Sequence, residues 1–158
     1  MQDLRAQLPP DKLLTAAVAL GENADGVQAA VFDVVDFLNV MAYDGPGQNH
    51  SSYEFAEEAL AYWKERGLPA AKTVLGVPFY SRPGEALYRQ LVAADPAAAQ
   101  TDEFDYHGTT TYYNGIPTME KKTALAKRLA SGLMIWTIAA DTLDETSLLK
   151  AIARASGR

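Results

Sequence analysis

Two kinds of apolar pattern alternate along this chain, and their alternation narrows the fold to one class. Residues 13–20, 37–43, 73–80 and 133–139 are short runs of β-branched, aliphatic and aromatic side chains, the composition that strands select. None of the four switches regularly between apolar and polar, so neither face is marked for water. Strands of that kind belong to parallel sheets covered on both sides. Between them stand helical repeats. The clearest covers residues 54–66, where Phe55, Ala59, Leu60, Tyr62 and Trp63 form a stripe beside Glu57, Glu58, Lys64 and Glu65. Ser51 and Glu54 have the spacing of a capping box, and Gly67 stands where a helix ends in a left-handed residue. Further helices are expected over residues 119–129 with Thr118 as cap, over 147–155, and as shorter pieces over 27–35 and 87–94. The resulting order of strands and helices is that of right-handed βαβ units, so the predicted class is α/β with a parallel sheet.

Length and composition set the outer bounds. A chain of 158 residues that is 48% hydrophobic can bury one core, since roughly 100–200 residues is the usual domain, and residues 1–158 are expected to form a single unit. The net charge is −6 and Lys and Arg form no basic stripe, so no nucleic acid partner is expected. The absence of cysteine excludes disulfides and thiolate chemistry. His50 and His107 are isolated in polar stretches with no second ligand at metal spacing, so neither a metal nor another cofactor is expected. The first ten residues, MQDLRAQLPP, carry a helical pattern and no signal peptide. If the parent protein is secreted, its signal lies upstream. No apolar run approaches the roughly 20 residues of a spanning helix, and no membrane partner is expected.

In parallel α/β folds the carboxyl ends of the strands line the ligand site. Here those ends carry Met41, Ala42, Tyr43 and Asp44, then Phe79, Tyr80, Ser81 and Arg82, and finally Trp136 with Asp141 just beyond. Flat rings stack on the apolar face of a sugar while polar tips bond its hydroxyls and amides, so this residue set suits carbohydrate. The long connection of residues 81–117 contains the stretch DEFDYHGTTTYYNG, read as a loop or small excursion at one end of the sheet, with Asp102, Glu103 and Asp105 on a solvated face.

At these residues a resemblance becomes specific. FLNVMAYD, LGVPFYSR, YYNGIPT and GLMIWTIAAD, in that order, resemble the sixth-strand, seventh-strand, preceding-loop and eighth-strand motifs of the family 18 chitinases, and LLTAAVAL resembles the fifth strand. The resemblance implies strands five to eight, with their helices, of a (β/α)8 TIM barrel. A full barrel takes roughly 250 residues, so about four of its units fit this chain, which is expected to start mid-barrel. It further implies catalytic roles for Tyr43 and Asp44 on the acetamido group of the bound sugar, with Met41, Tyr80, Arg82 and Trp136 binding substrate. Ser81 departs from the glycine common at its position. Chemistry in that family is substrate-assisted: the sugar's own acetamido oxygen attacks while one carboxylic acid protonates the leaving oxygen. The DxxDxDxE motif that would supply the acid is absent. Its nearest imitation, Asp33 to Val40, places Leu38 and Val40 where Asp and Glu are needed.

The expected function is therefore a chitinase-type hydrolase of β-1,4-linked N-acetylglucosamine polymers, present as a half-barrel without its acid. Two readings stand beside it: a non-catalytic, lectin-like binder of chito-oligosaccharide, and a self-assembling half-barrel with no complete site. Expected partners are chitin or its oligosaccharides, and either a second copy of the chain or an amino-terminal half-barrel to cover the two raw sheet edges.

Overall fold

The computed structural model describes residues 1–157. Helix α1 (Gln2–Gln7) is followed by β1 (Thr15–Val18), α2 (Ala30–Val34), β2 (Phe37–Met41), α3 (Tyr53–Glu65) and β3 (Thr73–Pro78). After β3 come α4 (Tyr88–Ala94), β4 (Glu103–Tyr106), β5 (Thr109–Tyr112), α5 (Ile116–Leu129), β6 (Gly132–Trp136) and α6 (Leu148–Ser156). Strands β1, β2, β3 and β6 form one parallel sheet in that order, so the α/β class holds. Strands β2, β3 and β6 begin at or within a residue of their predicted runs, β1 begins two residues late, and all four stop short of the predicted end.

Register places Val18, Val40, Leu75 and Leu133 abreast, with Met41, Gly76 and Met134 in the next row. One face of the sheet is closed: Val18, Leu38, Val40, Leu75 and Val77 are buried with Leu60 and Trp63 of α3, Met119 and Leu125 of α5 and Leu148 of α6. Side chains on the other face, Phe37, Asn39, Met41, Val74 and Met134, are only half-buried. Covering on both faces, expected from the apolar runs, is thus met on one face among the described residues. In the closed layer the Trp63 indole N–H donates to the Ala19 carbonyl at 3.0 Å, and the Phe32 ring meets the indole edge-on. The hydrogen bond satisfies the one polar atom that burying a Trp entails.

Several local expectations are corrected. The cap of α3 is Ser52, whose Oγ accepts the Phe55 N–H at 3.0 Å, not Ser51. The end at Gly67 stands, with φ +93°. Helix α5 starts earlier than residue 119 because Gly115 caps it and Pro117 fits its first turn. Thr118 instead donates its hydroxyl to Asp102 at 2.5 Å, and the same carboxylate accepts the Gly115 N–H at 2.8 Å. Asp102 is therefore an anchor for the start of α5 and not part of a solvated face. The predicted loop excursion is an ordered antiparallel hairpin, β4 against β5. Its two turn residues, His107 and Gly108, have φ of +56° and +80°, as a tight primed turn demands. Asp36, in the segment that imitated the acid motif, sits at the amino end of β2, where it accepts the Leu14 N–H at 2.6 Å and pairs with Arg5.

A buried cation joins the layers. Lys122, on the inward face of α5, has no exposed surface. Its ammonium donates to the Ser51 carbonyl at 2.8 Å, the Ser51 Oγ at 2.7 Å and the Asn114 Oδ1 at 2.8 Å, which matches its three N–H bonds. Ser51 passes the link on by donating its hydroxyl to the Ala42 carbonyl at 2.8 Å. Helix α5 is thereby tied to the carboxyl end of β2. Burial pushes the Lys122 amine down to about 7 from an ordinary 10.5, because the charged form loses water and no carboxylate touches it.

Two predictions follow from this packing. A methyl group at Gly76 would lie 2.9 Å from the Val40 carbonyl and 3.2 Å from the Met41 Cα, so Gly76→Ala is expected to lower unfolding stability by about 1–3 kcal/mol in denaturant titration. For Lys122 the depressed folded value means that the unfolded chain binds more protons between about pH 7 and 10.5. Stability is therefore expected to be flat below that window and to rise through it as the burial cost of the ammonium is removed. Lys122→Met should flatten that rise, read as the slope of stability against pH up to about pH 10, above which tyrosines contribute.

Candidate carbohydrate site

The rim of the sheet begins where the parallel pairing ends. Beyond Met41 the chain leaves β2 through buried Ala42 and Tyr43 and reaches Asp44, which has a left-handed backbone at φ +56°. Aspartate tolerates that conformation better than most side chains. The turn closes at His50, whose carbonyl accepts the Gly45 N–H at 2.9 Å and whose Nδ1 accepts the Asp44 N–H at 3.2 Å. Beyond β3, Arg82 pairs its backbone with Tyr112, accepting and donating at 2.7 and 2.9 Å. The hairpin thus flanks the rim at Arg82. Strand β6 delivers Trp136 opposite Pro78.

Asp44 is the hub. Its Oδ1 accepts the Tyr80 hydroxyl at 2.6 Å and the Arg82 Nε–H at 2.9 Å. The Arg82 guanidinium also lies 5.6 Å from the Tyr80 ring centre and pairs with Glu85. Partial burial works against the Asp44 charge, yet the bonds from Arg82 and Tyr80 outweigh it and hold the carboxyl below its ordinary value. Burial, reinforced by the Asp44 charge, raises the hydroxyls of both Tyr80 and Tyr43. At neutral pH the rim therefore offers a carboxylate and the Tyr80 phenol, with the protonated Tyr43 behind them, and Asp44 has no proton to donate.

Asp44, Tyr80, Arg82, Glu85, Leu87 and Trp136 line one pocket of about 210 Å³. Trp136 is 57% exposed, an unusual state for a large ring in a strand, and its indole is free to meet a ligand. A wider groove of about 780 Å³ adjoins it, sharing Arg82 and Glu85 and walled by Gly47, Thr110 and Tyr112. Of the residues singled out in the sequence, Asp44, Tyr80, Arg82 and Trp136 meet in the small pocket. Tyr43 lies behind it, its ring buried and edge-on to Tyr80 at 6.2 Å. Met41 lies one row deeper on the open face, level with Met134. Asp141 is elsewhere engaged: it accepts from Leu148 N, Leu149 N and the Ser147 hydroxyl and so fixes the start of α6.

Two residues escaped the sequence reading. His50, read as a polar-loop residue, is 3% exposed and packs against Tyr80 at 5.1 Å between ring centres, the rings tilted by 44°. Lys122 shares the helical face of Met119, Thr123 and Ala126, and a lysine at that spacing among small and apolar neighbours is the signal that marks it. Lys122 and Ser51 have the separation of an activated hydroxyl, but both are sealed, so no substrate reaches them. Among the described residues no three His, Asp or Glu side chains converge as a metal site requires.

Comparison with known proteins bears on this geometry. Glycosyl hydrolases family 18 matches residues 1–141. Chitinase 63 of Streptomyces plicatus is 32% identical over 105 residues, covering 52% of this chain and 17% of that protein. The GH18 chitinase ChiB from the chitin utilization locus of Flavobacterium johnsoniae superimposes with a TM-score of 0.88 at 35% identity, covering 98% of this chain and 53% of that one. A chitinase from Bacteroides thetaiotaomicron superimposes with a TM-score of 0.86 at 25% identity, covering 98% and 55%. The chain thus spans about half the length of the solved relatives it matches. With the family match running through all four strands of the parallel sheet, the chain belongs to glycosyl hydrolases family 18.

Proposed function

We propose that residues 1–158 form the carboxy-terminal half, strands five to eight, of a chitinase-type (β/α)8 barrel, and that the small pocket is a subsite for N-acetylglucosamine in β-1,4-linked polymers. The observation that carries this reading is the convergence of Asp44, Tyr80, Arg82 and exposed Trp136 on one pocket. In that reading Trp136 stacks beneath the sugar ring, Tyr80 and Arg82 fix its polar edge, and Met41 packs below. The chemistry is substrate-assisted: the acetamido oxygen attacks the anomeric carbon, and the cation so formed sits beside the Asp44 carboxylate and the Tyr43 phenol. A carboxylate held in its charged form suits that task and not proton donation.

The leaving oxygen still needs a proton. Without a general acid the reaction loses a factor of roughly 10²–10⁴, so this chain alone is proposed to bind chito-oligosaccharide and to cleave it slowly or not at all. The open sheet face and the single-sided pairing of β1 and β6 support the half-barrel reading, since exposed parallel edges attract further strands. We propose that a second half-barrel covers them, either a second copy of the chain about a two-fold axis or an amino-terminal half.

Calorimetry with chito-oligosaccharides tests the subsite. Saturable binding is expected, and Trp136→Ala should weaken it by at least tenfold, about 1.4 kcal/mol. No saturable binding at millimolar sugar would overturn the reading. Brisk hydrolysis of a chromogenic chitobioside by the chain alone would overturn the missing-acid proposal. Light scattering reads closure by a second copy, for which twice the 17.1 kDa chain mass is expected; a monodisperse monomer at micromolar concentration excludes it.

A further inference from the structure

We infer that His50 is a positioning residue for this pocket: its neutral imidazole holds the Asp44 backbone in the left-handed turn that aims the carboxylate at Tyr80 and Arg82, and protonating the ring redirects that carboxylate. The positioning stands on geometry alone, and only its consequence for sugar rests on the function proposed above. His50 returns to the turn twice, its carbonyl accepting the Gly45 N–H and its Nδ1 accepting the Asp44 N–H at 3.2 Å. An accepting Nδ1 carries a lone pair, so the ring proton is on Nε2. Nε2 is buried and makes no hydrogen bond of its own, although the Tyr80 carbonyl lies near enough to favour the protonated ring; the tautomer is assigned from the Asp44 N–H that Nδ1 accepts.

The same Nδ1 lies 3.4 Å from Asp44 Oδ1. That oxygen already receives the Tyr80 hydroxyl and the Arg82 Nε–H. While the ring is neutral, Nδ1 and Oδ1 present lone pairs to each other and no bond forms. A proton on Nδ1 ends its acceptance of the backbone N–H and makes it a third donor for Oδ1, in competition with Tyr80 and Arg82. The groups facing the imidazole are the Asp44 carboxylate from the turn, and the Tyr80 ring with the Arg82 cation from the end of β3, with Glu85 beyond Arg82. Burial lowers the His50 value below the ordinary 6.5 and outweighs the Asp44 charge that favours protonation. The change therefore belongs to mildly acidic solution.

Nitrogen-15 spectra of the histidine-labelled chain read the tautomer, and Asp44 amide exchange reads the contact. At neutral pH an unprotonated Nδ1 is expected, with the Asp44 amide shift following the His50 titration on acidification. His50→Phe keeps the ring on Tyr80 and removes the acceptor, whereas His50→Asn keeps an acceptor near the Nδ1 position and does not titrate. Asp44 amide exchange should quicken by about tenfold or more in His50→Phe and stay near the parent rate in His50→Asn. Chito-oligosaccharide affinity should follow the same order, and its pH dependence below 6.5 should flatten in His50→Asn. A protonated Nδ1 at neutral pH, or unchanged Asp44 exchange in His50→Phe, overturns the inference. If His50→Phe fails to fold, the tautomer and the Asp44 titration of the parent chain still decide it. A parent chain that shows the contact and binds no sugar sinks the subsite proposal and leaves the positioning role intact.

Discussion

Parallel pairing of β2, β3 and β6 is the constraint from which the cleft descends. Because the three strands run the same way in fixed register, Met41, Gly76 and Met134 lie abreast, and whatever follows each of them emerges at the same rim. Antiparallel pairing would send alternate strand ends to opposite edges and separate Tyr80 and Arg82 from Asp44 and Trp136. At Gly76 the Val40 carbonyl occupies the space a side chain would need. A larger residue in the middle of β3 would therefore disturb the β2–β3 pairing, beyond which Asp44 and Tyr80 meet at 2.6 Å.

Beyond the strands, polar contacts do the positioning, and each is costly to leave unmade. Asp44 N–H, Asp44 Oδ1 and the Gly45 N–H are all engaged within the turn or across to β3. On the far side of the same turn, Ser51 joins Ala42 to Lys122 and Asn114. The turn from Asp44 to Ser51 is therefore held from both ends, by His50 under the rim and by a buried ammonium under the helix layer. A buried ammonium with three neutral oxygen partners contributes little net stability, because desolvation offsets its bonds. What it supplies is a tie between distant segments, since its three bonds join α5 to Ser51 and Asn114.

The elements that were legible in the sequence are those whose cause is local. Four strands followed from β-branched runs, α3 from its stripe and Gly67, and α6 from Ser147, because propensity and periodicity act within a few residues. The rim residues were legible because strand order in an α/β chain fixes which side chains leave the sheet together. What was illegible depends on partners distant in sequence. Ser52 caps α3 while the Ser51 hydroxyl is engaged by Lys122, 71 positions away. His50 looks like a loop residue until Tyr80 closes over it, and Asp102 looks solvated until Gly115 and Thr118 present their hydrogens to it. The hairpin carried a local signal, His107-Gly108 between β-branched and aromatic runs, that was outweighed by the polarity of the segment.

The open face of the sheet bears on how the rim should be understood. Phe37, Met41, Val74 and Met134 are half-buried, whereas apolar side chains of a parallel sheet are ordinarily sealed on both sides. The polar rim, by contrast, is closed upon itself: the Asp44 charge is compensated by Arg82 and Tyr80, and Arg82 by Glu85 as well. A partner that covers the apolar face would therefore change the access and dielectric around the pocket more than its internal geometry. Lowering the dielectric strengthens every interaction of the Asp44 carboxylate, including the one proposed with a cationic intermediate. On that account the proposed second half-barrel would contribute twice, by the proton donor it would bring and by the dryness it would impose on a carboxylate already in place.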